Sequence, residues 1–226
     1  MNEKALSILS DSKEAGWVLE PEAKRFFSMV GLDVPRFAWA KSGDEALQFA
    51  ERIGYPVVAK VVSHRVIHKT EWGGVVVGIG NSGELTEAFL RLSLIEGFEG
   101  ILVEEMIEGL ELIVGAKRDH QFGAVVLLGM GGTGVEIYGD VSIRMAPLRL
   151  QDAESMMKCL RAGKVLEGYR GKGPVNKPKL AQFLMTFSDL VMDIEEEIES
   201  IDLNPVFCSS ERCTVGDARI MLRPKK

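Results

Sequence analysis

Apolar positions along this chain switch between the three-to-four spacing of an amphipathic helix and the two-residue alternation of a strand. Helical spacing predicts elements over 3–15 and over 21–30, the second with Pro21 near its start and Gly31 as its stop. It also predicts one over 42–54, where Ala46, Phe49, Ala50 and Ile53 share a face. Later helices are expected over 82–94, 151–161 and 178–192. Strands are expected over 34–40, 56–62, 101–104, 111–117 and 124–128, with 75–79 as the hairpin partner of 56–62. Antiparallel hairpins interrupted by helices imply an α+β layered domain rather than a doubly wound parallel sheet. Met106-Ile107-Glu108-Gly109 reads as a hinge. A single domain over 1–226 would then divide into subdomains over 21–107 and 108–226, with a leading helix within 1–20 packed on the latter.

The chain closes on a hairpin that carries candidate chemistry. Ile201, Leu203 and Val206 alternate against Asp202 and Asn204, so both polar side chains leave one face. A turn centred on Ser210 and Glu211 would set Asn204 opposite Asp217 and Cys208 opposite Cys213. Two carboxylates and an amide oxygen then converge on a hard-oxygen site suited to Mg2+, which keeps waters and completes its shell with phosphates. The plainer alternative is a polar hairpin face in water.

Other polar residues stand where propensity alone would not put them. Lys60 closes an apolar run and is followed by two valines, so it needs an anion or an edge from which to snorkel. Glu104 and Glu105 end another apolar run, and Glu111 opens the strand beyond the hinge. Such carboxylates face solvent or hold a sugar hydroxyl or an amino group in a crevice. His68-Lys69, in the loop between Lys60 and Gly73-Gly74, could meet a phosphoryl group, because neutral imidazole is a competent acceptor. His64 and His68 are four apart, but no helix signal accompanies them, so a metal pair is not expected. Gly129-Met130-Gly131-Gly132-Thr133-Gly134-Val135-Glu136 can turn backbone N–H groups toward one anion without matching GxGxxG or a P-loop.

Composition narrows the classes. With 226 residues, 46% of them hydrophobic, the chain has ample core for one large domain. A net charge of -6 without a long basic run argues against a nucleic-acid partner. No apolar stretch approaches the roughly 20 residues that span a bilayer. The N-terminus lacks a secretory apolar run, and three cysteines without CxxC spacing suit a reducing cytoplasm.

In order and spacing the motifs resemble a known family. Their carriers are Gly54-Tyr55-Pro56-Val57-Val58-Ala59-Lys60, Ile67-His68-Lys69, Gly73-Gly74-Val75 and Leu102-Val103-Glu104-Glu105-Met106. They continue with Arg118-Asp119, Gln121-Phe122-Gly123, Gly131-Gly132, Val135-Glu136, Arg144-Met145-Ala146-Pro147-Leu148, Ile201-Asp202-Leu203-Asn204-Pro205 and Asp217-Ala218-Arg219. Together they resemble the ATP-grasp β subunit of ADP-forming acyl-CoA synthetases, the acetate–CoA ligase (ADP-forming) group, and more distantly that of succinyl-CoA synthetase.

The resemblance implies an ATP-grasp fold, two α/β subdomains with antiparallel sheets enclosing a nucleotide cleft. Lys60 and Lys69 would hold phosphates of ATP or ADP. Glu104 and the backbone of Glu105, Met106 and Ile107 would frame the adenine, and Glu111 the ribose. Asn204 and Asp217, with Asp202 beside them, would bind Mg2+. His68 would carry the phosphoryl group transiently, Arg144 would assist the phosphate, and the glycine loop would border the channel through which a phosphohistidine arrives. The implied reaction is acyl-CoA + ADP + phosphate giving acid + CoA + ATP. A separate α subunit, carrying the CoA-binding and primary phosphohistidine domains, would complete a cytoplasmic heterotetramer. Two other classes stay open: another ATP-grasp carboxylate ligase, which needs no phosphohistidine, and a non-catalytic ATP-grasp regulatory module.

Overall fold

The computed structural model describes residues 3–66, 68–132, 139–169 and 173–224. Its elements run α1 (Glu3–Asp11), β1 (Trp17–Val18), α2 (Glu20–Met29), β2 (Phe37–Ala40), α3 (Gly43–Ile53), β3 (Val57–Ser63), β4 (Val75–Ile79), α4 (Ser82–Leu92) and β5 (Phe98–Glu105). They continue with β6 (Leu110–Asp119), β7 (Gly123–Met130), β8 (Val141–Met145), α5 (Leu150–Cys159), α6 (Lys177–Ile194), β9 (Ile198–Cys208), β10 (Cys213–Val215) and β11 (Arg219–Leu222). The chain forms two compact units, Met1–Val18 with Glu22–Val34 and Glu108–Lys226, and Leu19–Pro21 with Pro35–Ile107.

The smaller unit is a four-stranded antiparallel sheet in the order β2-β5-β3-β4. Helix α3 starts where Ser42 accepts the Glu45 N–H, and ends at Gly54, whose N–H reaches Ala50 O. Its Ala46, Phe49 and Ala50, with Leu85, Ala88 and Leu92 of α4, pack on Val57, Ala59, Val61, Ile101 and Val103. Strand alternation puts Lys60 on the other face, and β3 is buried on both. That double burial explains why its sequence reads as an unbroken apolar run around one lysine.

The larger unit has a seven-stranded sheet in the order β1-β11-β9-β6-β7-β8, with β10 also paired to β9. Its core joins Val114, Ala116, Val126, Leu128, Ile201 and Leu203 to the apolar stripes of α5 and α6, including Met156, Leu184 and Phe187. Burying each such side chain stabilises the fold by about 1.5–3 kcal/mol before conformational entropy is counted. Ala23, Phe26, Phe27 and Leu32 join the same core. Residues 22–34 therefore group with 108–226, whereas the sequence pattern predicts 21–107 as one subdomain. Ala5 and Leu9 of α1 bury there too.

Two strands were not legible beforehand. β1 is two residues long and takes its geometry from pairing with β11. In β8 the polarity is inverted: Val141, Ile143 and Met145 are exposed while Ser142 is buried. No pattern of apolar-in alternation marks such a strand.

The closing hairpin has the expected register at Cys208–Cys213, but Asn204 and Asp217 are not ladder partners. Cys213 pairs with Cys208 and Val215 with Val206, then Arg219 with Asp202 and Ile220 with Ile201. Between these two ladders residues 216–218 leave the strand and form a bend.

Candidate functional site

In the smaller unit a buried lysine is held by carboxylates. Register partners Val58–Glu104 and Lys60–Leu102 put Lys60 and Glu104 diagonally on one face of the β3–β5 pair. Lys60 Nζ lies 2.8 Å from Glu104 Oε1 and 2.8 Å from Glu20 Oε1, and all three residues are buried. Glu20 Oε2 lies 2.8 Å from Lys69 Nζ. Two ammonium groups thus face two carboxylates, with an aliphatic strand face around them. Burying such charges costs several kcal/mol per ion unless each is paired, and the network supplies the pairing. Glu20 escaped the sequence reading, because a glutamate at a helix start is the default there.

The loop that supplies Lys69 is set by close packing. Lys69–Trp72 form one 3-10 turn, with exposed His68 just before it. Gly73 ends the turn at φ 63°, and Gly74 N–H reaches Lys69 O at 2.7 Å. A Cβ at Gly74 would sit 2.7 Å from Val61 Cγ1, so only glycine lets the loop return against β3. Ile67 lies outside the described residues.

Glu105, expected at the adenine, has local partners as well. Glu105 Oε2 takes Arg36 Nε at 2.7 Å, and the Glu105 N–H is used by Arg36 O at 3.0 Å. Met106 is exposed and Ile107 half-buried.

In the larger unit Asp202 and Asn204 lie half-buried on the sheet face away from Ile201 and Leu203. Asp202 Oδ2 accepts from Arg219 Nη2 at 2.9 Å. The bend brings Asp217 to the neighbouring peptide: Gly216 N–H and Asp217 N–H both donate to Pro205 O, at 2.8 and 3.3 Å. Asp217 Oδ1 accepts the Ala218 N–H at 2.9 Å. An amide oxygen and two carboxylates, all half-buried, are hard donors of the type Mg2+ takes. Among the described residues no group of three or more His, Cys, Asp or Glu forms a closed metal cage. That donor set fits a cation held by few protein oxygens, with phosphates and water completing its shell.

Glu111 opens β6 with an exposed side chain, while its carbonyl accepts the Gly131 N–H at 2.8 Å. Of the glycine loop, Thr133, Gly134, Val135 and Glu136 lie outside the described residues. Arg144, expected to assist the phosphate, has its hydrogen-bond partners on β8 and α5. Its Nη2 donates to Ser155 Oγ of α5 at 2.8 Å and its Nη1 to Ile143 O at 2.8 Å. Arg144 pairs with Val126, Val126 with Ala116 and Ala116 with Ile201, a row on the core face. Asp202 belongs to the adjacent row through Gly115, Leu127 and Ile143, whose side chains leave the other face.

Residues 10–222 match the model of the ATP-grasp domain. The chain belongs to the ATP-grasp family. Within it, the β subunit of acetate–CoA ligase (ADP-forming) I from Pyrococcus furiosus is 39% identical over 228 residues, spanning 97% of this chain and 98% of that one. Acetate–CoA ligase (ADP-forming) I of Archaeoglobus fulgidus is 41% identical over 97% of this ATP-grasp chain, which spans only 33% of that longer protein. A solved acetyl-coenzyme A synthetase 1 of Ca. Korarchaeum cryptofilum superposes with a TM-score of 0.86 at 39% identity, covering 97% of this chain and 100% of that one. That structure holds coenzyme A and Mg-AMPPCP, with its phosphohistidine segment pointing towards the nucleotide-binding site. Among the described residues of this ATP-grasp chain, no helix is long and apolar enough to cross a membrane.

Proposed function

We propose that this chain is the nucleotide-binding β subunit of an ADP-forming acyl-CoA synthetase, moving a phosphoryl group between phosphohistidine and ADP. The observation that carries the reading is Lys60, a lysine 6% exposed inside a β-strand and held by two carboxylates at 2.8 Å. A packing role does not call for a cation there; phosphate recognition does. Incoming phosphate oxygens compete with Glu104 and Glu20 for the Lys60 N–H donors, and Lys69 adds a second cation one loop away. Displaced from Lys60, the Glu104 carboxylate can accept from the adenine amino group beside the backbone of residues 105–107. Glu111 takes the ribose hydroxyls.

Asn204 and Asp217 would hold Mg2+, which supplies neutralisation of phosphate charge, and Asp202 supports them. Phosphoryl transfer needs positioning and charge neutralisation more than acid–base chemistry, which matches a site of lysines and hard oxygens. In the chain's own step the N–P bond of a phosphohistidine breaks and an O–P bond forms to the ADP β-phosphate. The imidazole leaves with the electron pair of the N–P bond and takes up a proton. Exposed His68 suits a side chain that must receive the phosphoryl group from another protein segment.

Acyl-CoA, acid and CoA would be handled by a separate α subunit carrying the CoA-binding and primary phosphohistidine domains, in a cytoplasmic heterotetramer. Support comes from the match to a whole β subunit on one hand and to a third of a longer single-chain ligase on the other. The test uses this chain with Mg2+ and ATP labelled at the γ-phosphate. Acid-labile, alkali-stable label that ADP removes is the expected result. Failure of the wild type to label, or label persisting in His68→Ala, overturns the role of His68.

A further inference from the structure

Lys24 is the buried cation that the proposed chemistry does not use. It lies on α2 with no solvent exposure, and its Nζ donates to Gly216 O at 2.9 Å. A lysine on a helix ordinarily extends its head to water, and burying it completely costs several kcal/mol unless its donors are well placed. The carbonyl it meets belongs to the residue just before Asp217.

The same helix and its exit loop grip the three residues that precede Asp217. Asp33 Oδ2 accepts from Thr214 Oγ1 at 2.7 Å, and Asp33 O accepts the Val215 N–H at 2.8 Å. Lys24 then takes Gly216. The peptide joining Gly216 to Asp217 is consequently held at both ends, its oxygen by Lys24 and its N–H by Pro205 O at 3.3 Å. A trans peptide is planar, so anchoring both polar ends fixes the plane from which the Asp217 Cα departs. An ammonium on the oxygen also polarises the peptide and strengthens its N–H as a donor. Pro205 directly follows Asn204, so one peptide unit ties the two metal-site residues together. Gly216 has no slack: a Cβ there would lie 2.5 Å from Phe207 Cε2 and 2.9 Å from Pro205 O.

We propose that Lys24 is a positioning residue for the divalent cation, anchoring the Gly216–Asp217 peptide so that Asp217 stands ready beside Asn204. The inference rests on the assignment of the metal to Asn204 and Asp217, and the experiment separates the two. ATP binding is measured calorimetrically on the full chain, in EDTA and across a Mg2+ titration, for the wild type, Lys24→Met, Lys24→Gln and Asp217→Asn. Expected for the Lys24 variants is an unchanged metal-free affinity, within twofold, with at least tenfold more Mg2+ needed for half of the metal-dependent gain. A purely structural lysine would instead weaken metal-free and metal-dependent binding together. If Asp217→Asn shifts the Mg2+ requirement and the Lys24 variants do not, the inference is overturned and the metal assignment stands. If Asp217→Asn shifts nothing, the metal assignment fails first. Should neither Lys24 variant melt cooperatively, amide exchange of the wild type decides: a protected Asp217 N–H supports the anchored peptide, and exchange at open-loop rates sinks it.

Discussion

Asp202 of β9 and Arg219 of β11 are direct register partners, and their side chains meet at 2.9 Å. The pair is about a third exposed, so water screens it and its worth to stability is about 0–1 kcal/mol. Its consequence is positional: one Asp202 oxygen is directed at the guanidinium. Asp217→Asn should therefore raise the Mg2+ requirement for phosphoryl transfer at least tenfold, while Asp202→Asn raises it less. A Mg2+ titration of ATP–ADP exchange checks the order, and equal effects would restore Asp202 as a full ligand.

Lys60 is expected to matter twice, to nucleotide and to stability. Lys60→Met leaves Glu104 buried without its ammonium partner and takes from Glu20 one of two cations, costing about 3–5 kcal/mol. Adding Glu104→Gln removes the charge that faced Lys60 and should recover at least half of that loss in urea melts. ATP affinity should fall at least tenfold in both variants. Recovery of affinity together with stability would show that Lys60 only supports the fold.

Arg144 is expected to act on the fold rather than on phosphate. Removing its bonds to Ser155 and Ile143 in Arg144→Met should destabilise by about 1–2 kcal/mol. The KM for nucleotide should stay within twofold of wild type. A tenfold rise in KM without a change in melting would return Arg144 to the site.

The three thiols should separate by reactivity. Cys159 is exposed, whereas Cys208 and Cys213 are buried and reduced, facing each other across β9 and β10. The hydrogen bond with Cys213, and then burial, push the Cys208 thiol well above its ordinary 9.0. One fast and two slow alkylations are expected at pH 8, equalising on unfolding. An unfolded Cys208 ionises near 9 while the folded one stays protonated, so this contribution is intact below pH 9 and lost above it. Alkaline melts should therefore fall as pH rises above 9, with this thiol contributing to the fall. A Cys208→Ala variant with the same slope would contradict the assignment.

Much of this fold could be read from one dimension. Buried strands around Lys60, the capped helix after Ser42 and the hairpin register through Cys208–Cys213 and Asp202–Arg219 all follow from local spacing. Turn symmetry and strand alternation act between near neighbours, and near neighbours are what a sequence displays. The inverted strand β8 was hidden because its apolar positions face outward, and β1 because two residues carry no period.

What the sequence by itself determined was the list of chemistry: which lysines, carboxylates and amide stand on which strands, and which motif family they form. The tertiary structure alone decided their partners. Glu20 reaches Lys60 across 40 residues, Lys24 reaches Gly216 across 192, and Arg144 turns to α5. Burial of a charge is decided by what the rest of the chain packs around it, and the cost of leaving it unpaired selects a partner distant in sequence.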